Sequence, residues 1–103
     1  MINLRDETIA AITKAGKSPG DISYIGDRNN SYSWPQFLRA ANIKYDNGYG
    51  AANVIHGFVI VFTDGSWLER GEYDGAEWWE YKRCFTVPEG HVPDEQLVLF
   101  PSD

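Results

Sequence analysis

Residues 64–81 read DGSWLERGEYDGAEWWEY. This stretch holds two Asp-Gly pairs, three tryptophans, two tyrosines and six carboxylates against one arginine. Aromatic residues favour the half-buried pleated surface of a strand, and Asp-Gly favours a tight hairpin turn. If Asp74-Gly75 is a two-residue turn, the register follows by counting outward. Tyr73 faces Ala76, Glu72 faces Glu77, Gly71 faces Trp78, Arg70 faces Trp79 and Glu69 faces Glu80. Arg70 opposite Trp79 is a favourable cation–π or stacking pair. Glu72–Glu77 and Glu69–Glu80 are like-charge pairs, each costing a few tenths of a kcal/mol to about 1 kcal/mol. Side chains alternate along a strand, so the two pairs fall on opposite faces of the sheet. The pattern leaves open which face the helices cover, and a bulge at Gly71 would shift the register.

Working outward, Val54–Phe62 reads as a strand joined to Trp67–Tyr73 through Asp64-Gly65. A third strand, Glu77–Arg83, completes an antiparallel meander over about 54–83. Upstream, residues 5–15 predict a helix. Asp6 and Glu7 suit its positive end, Ile9, Ile12 and Thr13 form a short stripe, and Gly16 is a stop. Ser18-Pro19-Gly20 breaks the chain, and Asp21–Ile25 reads as an edge strand or an extended connector. A second helix is predicted over about 34–42, with Ser33 as N-cap and Pro35 in the first turn, where its missing N–H is harmless. Trp34, Phe37, Leu38 and Ala41 have the spacing of its buried face. Ile43–Tyr45 suits a short extended piece, and Asp46–Gly50 a loop. After residue 84, Pro88, Pro93 and Pro101 interrupt regular structure, leaving an acidic tail in which Leu97–Phe100 is a candidate edge strand. The expectation is one α+β domain over 1–103, with two N-terminal helices packed on a meander of at least three strands.

Composition narrows the function classes. A chain of 103 residues with 43% hydrophobic and 15% aromatic content supports one hydrophobic core. No apolar run approaches the ~20 residues of a membrane-spanning helix. Residues 1–6 lack the basic start and apolar middle of a secretion signal, so a cytoplasmic location is expected. The single cysteine, Cys84, has no internal disulfide partner and reads as an ordinary semi-buried thiol. The net charge is −6. Residues 1–63 carry six Lys/Arg against five Asp/Glu, whereas residues 64–103 carry three against ten. Acidity confined to one part of the chain argues against direct contact with nucleic-acid phosphates and favours a basic partner.

The same segment supplies the candidate site. Glu69, Glu72, Asp74, Glu77 and Glu80 are expected to provide charge complementarity, as a mimic of nucleic-acid phosphates that occupies a Lys/Arg-lined channel, with Trp78 or Trp79 as the aromatic anchor, since exposed Trp and Tyr are typical interface anchors. The plainer reading of the acids is a solvated face, with Asp64 and Asp74 as turn residues. The plainer reading of the rings is core. Hard cations need several converging oxygens, and no such spacing is present, so no metal or other cofactor is expected. His56 and His91 have no second ligand at zinc spacing. Residues 47–52 are glycine-rich but match neither a phosphate loop nor a dinucleotide fingerprint. No nucleophile–base order is visible, and an enzyme is not expected.

A set of local patterns resembles a group of small proteins of phages and prophage-like mobile elements. It comprises Ser18-Pro19 with Ile22–Gly26, Ser33-Trp34 with Phe37, Tyr45-Asp46 with Gly48-Tyr49-Gly50, and the 64–81 block. The resemblance implies a small cytoplasmic accessory protein and transfers no active site. Many acidic phage proteins of this kind block host nucleic-acid machinery, including CRISPR effectors and restriction enzymes. The leading expectation is therefore an inhibitor of the anti-CRISPR type. It would bind a basic protein or nucleoprotein complex of the host stoichiometrically and hinder engagement of target DNA. The alternative is a virion structural or assembly protein that self-associates through sheet edges.

Overall fold

Asp74 and Gly75 both adopt positive φ, 50° and 86°. That is the type I′ geometry whose twist matches the twist of the flanking strands. It sets the whole hairpin: β5 (Trp67–Tyr73) pairs with β6 (Ala76–Lys82) in the register counted from the turn, Tyr73↔Ala76 through Glu69↔Glu80 and on to Trp67↔Lys82. The ladder is continuous at Gly71, with no bulge. The computed structural model describes residues 1–46, 48, 57–84, 89, 90, 92, 93, 95, 96, 99 and 100.

Among these residues the fold is α+β, with two α-helices and two antiparallel sheets. The larger sheet has the order β2-β4-β5-β6, where β2 is Ile22–Gly26 and β4 is Val59–Phe62. The strand expected from Val54 is seen over this shorter range, and residues 54–56 lie outside the described set. So do the expected structural places of His56 and His91, most of the 47–52 segment, and residues 97 and 98. The smaller sheet pairs β1 (Ile2–Asn3) with β3 (Lys44–Tyr45). That ladder brings the start of the chain beside Tyr45.

The β4–β5 connection is longer than a two-residue turn. The Phe62 N–H donates to the Ser66 carbonyl at 2.8 Å, which leaves Thr63, Asp64 and Gly65 as the loop, with Gly65 at φ 88°. Asp64 organises it by accepting from the Ser66 N–H (2.9 Å) and from Lys17 Nζ (2.5 Å). The Lys17 bond and then those from Ser66 hold the Asp64 carboxyl well below the usual carboxylate range.

Helix α1 (Leu4–Lys14) starts at Asn3, whose side chain accepts from the Asp6 N–H at 3.1 Å. Its buried stripe differs from expectation. Thr8 and Ile12 are buried, while Ile9 is 41% exposed. The i,i+4 line of Leu4, Thr8 and Ile12 faces inward because the Thr8 hydroxyl has two partners. It donates to the Leu4 carbonyl (2.7 Å) and accepts from the Trp79 indole (2.8 Å). Helix α2 (Trp34–Ala40) has the expected capping box, with Gln36 N–H donating to Ser33 Oγ (3.2 Å) and Ser33 N–H to Gln36 Oε1 (2.8 Å).

One buried cluster unites Ile12 of α1, Phe37 of α2 and Ala41 with Ile25, Ile60, Phe62 and Leu68 of the sheet. Ile25, Ile60 and Leu68 stand in one cross-strand row, so this is one face of the sheet. The opposite face presents the rows Tyr24–Val61–Trp67–Lys82 and Gly26–Val59–Glu69–Glu80. We refer to the two as the cluster face and the outer face.

Gly75→Ala forces an L side chain into left-handed backbone, which costs about 1–2 kcal/mol. It is expected to lower the urea midpoint of unfolding. Asp74→Asn is expected to leave that midpoint nearly unchanged, because Asn-Gly forms the same turn.

Candidate protein-interaction surface

The 69–80 hairpin divides its carboxylates between two environments. On the cluster face, Glu77 is only 3% exposed. The Arg70 guanidinium, diagonal to it across the ladder, donates to Glu77 Oε1 at 2.6 Å and to the Tyr45 hydroxyl at 2.9 Å. It also lies 3.4 Å from Glu7 Oε1, and the Tyr45 hydroxyl donates a short hydrogen bond to the same oxygen. The guanidinium stacks over the Trp79 ring, 4.8 Å from its centroid. Burial disfavours the charge on Arg70, but the bonds with Glu77 and Tyr45 outweigh it, so its pKa is raised.

This corrects two expected contact residues. Glu77 is neutralised inside the molecule and is not displayed. Trp79 packs against the core, with its indole N–H held by Thr8. A buried charge is tolerated only when paired and hydrogen-bonded. Arg70 therefore claims the nearest carboxylate on its own face. Glu7, Thr8 and Tyr45 complete the cluster and were not singled out from the sequence. Their signal lies in the fold, because each comes from an element remote from the hairpin.

The remaining expected residues stay accessible. Glu72 and Asp74 are exposed at the hairpin end, and Tyr73 between them is 78% exposed. Glu69, Glu72 and Asp74 carry no side-chain hydrogen bond or ion pair among the described residues. Glu80 is partly neutralised by Lys82, whose Nζ lies 3.3 Å from its Oε2. Trp78 is 37% exposed on the outer face, and its indole N–H donates to Glu80 Oε1 at 3.0 Å. This geometry needs Gly71. A Cβ there would sit 2.5 Å from the Trp78 ring nitrogen and 2.4 Å from Glu80 Oε1. Cys84 is exposed, not semi-buried.

A small cleft of about 180 Å³ lies on the β2 side of the sheet, lined by residues that include Ile22, Tyr24, Tyr32 and Trp34. Among the described residues, no three His, Cys, Asp or Glu side chains gather as a metal site, and no helix is long and apolar enough to cross a membrane.

No protein-family model matches the chain, and no curated protein or solved structure matches it.

Arg70→Met leaves two carboxylates without their cation and is expected to destabilise the fold by about 3–5 kcal/mol in urea unfolding. Replacing Glu7 and Glu77 as well, by Gln and Leu, is expected to recover most of that loss. Burial and the bond to Glu7 push the Tyr45 hydroxyl up to about 12. The folded state thus favours neutral Tyr45. Its stabilising contribution is complete below the ordinary tyrosine value of about 10 and is lost as pH rises through about 12. Alkaline titration followed by tyrosinate absorbance, with Tyr45→Phe as reference, is expected to show one phenol ionising last, together with unfolding.

Proposed function

We propose that this chain is a stoichiometric binding protein that docks on a basic protein or nucleoprotein complex. The reading extends to an inhibitor of the anti-CRISPR type, acting in the host cytoplasm and hindering target-DNA engagement by the complex. The helices back the cluster face of the sheet, and the partner meets the outer face and the end of the 69–80 hairpin. The observation that carries this reading is the hairpin end. Tyr73 stands exposed between Glu72 and Asp74, and neither carboxylate has a side-chain partner among the described residues. Folding alone gives no reason for an aromatic ring flanked by two free negative charges there. At an interface the ring supplies buried area, while the charges steer a cationic partner and set its orientation. The inhibitory role and the cytoplasmic setting rest on the resemblance to phage accessory proteins.

A second reading, assembly through self-association, is favoured by the position of β6 at the end of the sheet order. An end strand offers a row of backbone groups to another strand. Size-exclusion chromatography over a range of concentrations separates the two: elution independent of concentration supports the first reading, and growth into larger species supports the second.

The test of the first reading uses a panel of purified CRISPR effector ribonucleoproteins, with and without target duplex. A stoichiometric complex that excludes the duplex is expected with at least one of them. Exposed charges are screened within about 8 Å at physiological ionic strength, so added salt should weaken the complex. The double change Glu72→Lys with Asp74→Lys is expected to weaken it by roughly tenfold or more, because like charges then face one another. Glu77→Lys is not informative here, since that side chain belongs to the buried cluster. Absence of a complex throughout the panel, or a complex that binds DNA normally, contradicts the inhibitor reading.

A further inference from the structure

We infer that the cleft on the β2 side of the sheet receives a proline-rich segment of a partner protein, held in the polyproline conformation. β2 lies at the opposite end of the sheet order from β6, and the inference goes beyond the docking reading above without resting on it. The walls of the cleft are rings that the fold already holds in place. Trp34 and Tyr32 stand on either side of Ser33, whose capping box with Gln36 fixes the start of α2. Trp34 stacks on Phe37 with centroids 5.6 Å apart, Phe37 on Phe58 at 5.8 Å, and Phe58 on Tyr32 at 6.1 Å. The two ends of this row of rings line the cleft, and Phe37 ties the row into the buried cluster. The Tyr24 ring of β2 is fixed by its hydroxyl, which donates to the Asp27 carbonyl. Rings ordered before binding lose little freedom when a ligand packs on them.

The polar groups of the cleft narrow the ligand. The Trp34 indole N–H and the Tyr32 hydroxyl have no hydrogen-bond partner among the described residues. An indole can only donate, and a phenol donates readily. None of the described lining residues is charged or carries an amide side chain. The matching ligand is uncharged, has apolar rings, and offers acceptors without needing any in return. A proline-rich segment has that chemistry. Its prolines carry no N–H, and the polyproline conformation has no internal hydrogen bonds, so its carbonyls are open to outside donors. The conformation also forms before binding, which is why aromatic-lined grooves recognise it. The complementarity is one of partial charge: donor hydrogens of the cleft meet carbonyl oxygens of the segment, with no net charge on either. A sugar ring also stacks on aromatic faces. Each of its hydroxyls, however, brings a hydrogen that needs an acceptor, and the described lining offers no carboxylate or amide to take it. At about 180 Å³ the cleft is smaller than the roughly 300–1,000 Å³ that encloses a drug-sized molecule. It therefore takes one or two rings of a chain that continues over the surface.

Indole N–H signals in nuclear magnetic resonance provide the test. The full-length protein is titrated with a capped oligoproline peptide, with a capped glycine–serine peptide of the same length, and with a glucose oligosaccharide. The Trp34 signal is expected to shift saturably with oligoproline and to stay in place with the other two. The Trp78 and Trp79 signals, bonded to Glu80 and Thr8, are expected not to move and so report an intact fold. Tyr32→Phe removes one donor and keeps the ring, and is expected to weaken oligoproline binding about fivefold. Glu72→Lys with Asp74→Lys is expected to leave the affinity for this uncharged peptide unchanged. No response of Trp34 to oligoproline, an equal response to the glycine–serine peptide, or an unchanged affinity in Tyr32→Phe overturns the inference. A Trp34 response to the oligosaccharide overturns it by identifying a sugar site, and a response to protein concentration alone overturns it by identifying a second copy as the occupant. Loss of oligoproline binding in the hairpin double variant overturns it by placing the peptide elsewhere. Oligoproline binding by a protein that forms no effector complex leaves this inference standing and contradicts the inhibitor reading.

Discussion

Arg70 is the constraint on which the rest of this fold depends. A guanidinium cannot shed its proton at any ordinary pH, so burying it obliges the chain to surround it with acceptors and a ring. The protein meets most of that demand with Glu77 from the same hairpin, Glu7 from the first helix and Tyr45 from the short second sheet, and Arg70 Nε stays without a hydrogen bond among the described residues. Trp79 lies beneath it and is tied in turn to Thr8 of the same helix. Helix α1, the β1–β3 ladder and the β5–β6 hairpin are thus held by one polar cluster, while Ile12, Phe37, Ile60 and Leu68 supply the apolar core beside it. The cluster contributes specificity of arrangement: sliding the helix by one residue would leave Arg70 without Glu7 and Trp79 without Thr8.

This cluster also sorts the acidic residues by role. An acid-rich hairpin suggests a uniform negative surface, but the carboxylates divide. Asp64 is engaged by Lys17 and Ser66, Glu77 by Arg70, and Glu80 in part by Lys82. Glu69, Glu72 and Asp74 have no side-chain partner among the described residues. Their separation follows from the alternation of the strands and from the distance between the hairpin end and the helices. The charge displayed is therefore smaller than the composition implies, and it lies beside exposed aromatic surface from Tyr73 and Trp78.

Much of the fold was legible in the chain. The Asp74-Gly75 pair implied the hairpin register residue by residue, because a type I′ turn admits one pairing of its flanking strands. Ser33, Pro35 and Gln36 marked the second helix through local hydrogen bonds that need no tertiary partner. Gly16 and Asp6 bracketed the first. The errors share a cause. Hydrophobicity alone puts Ile9 on the buried stripe of α1, yet Thr8 is the residue buried, since its hydroxyl satisfies an indole from a strand far along the chain. Glu77, and Trp79 as one of two alternative anchors, fall among the expected contacts because the hairpin pattern does not say which face the helices cover.

The amino-acid sequence by itself determined the turns, the strand register and the opposition of glutamates, since these depend on backbone preferences and on a side-chain period of two. Only the tertiary structure decided which glutamate is drawn into the buried cluster and which stay at the surface. That decision requires Arg70 to meet Glu7 and Tyr45, 63 and 25 residues away in the chain. Coulombic pairing acts through space, and the distance between these groups exists only once the chain has folded.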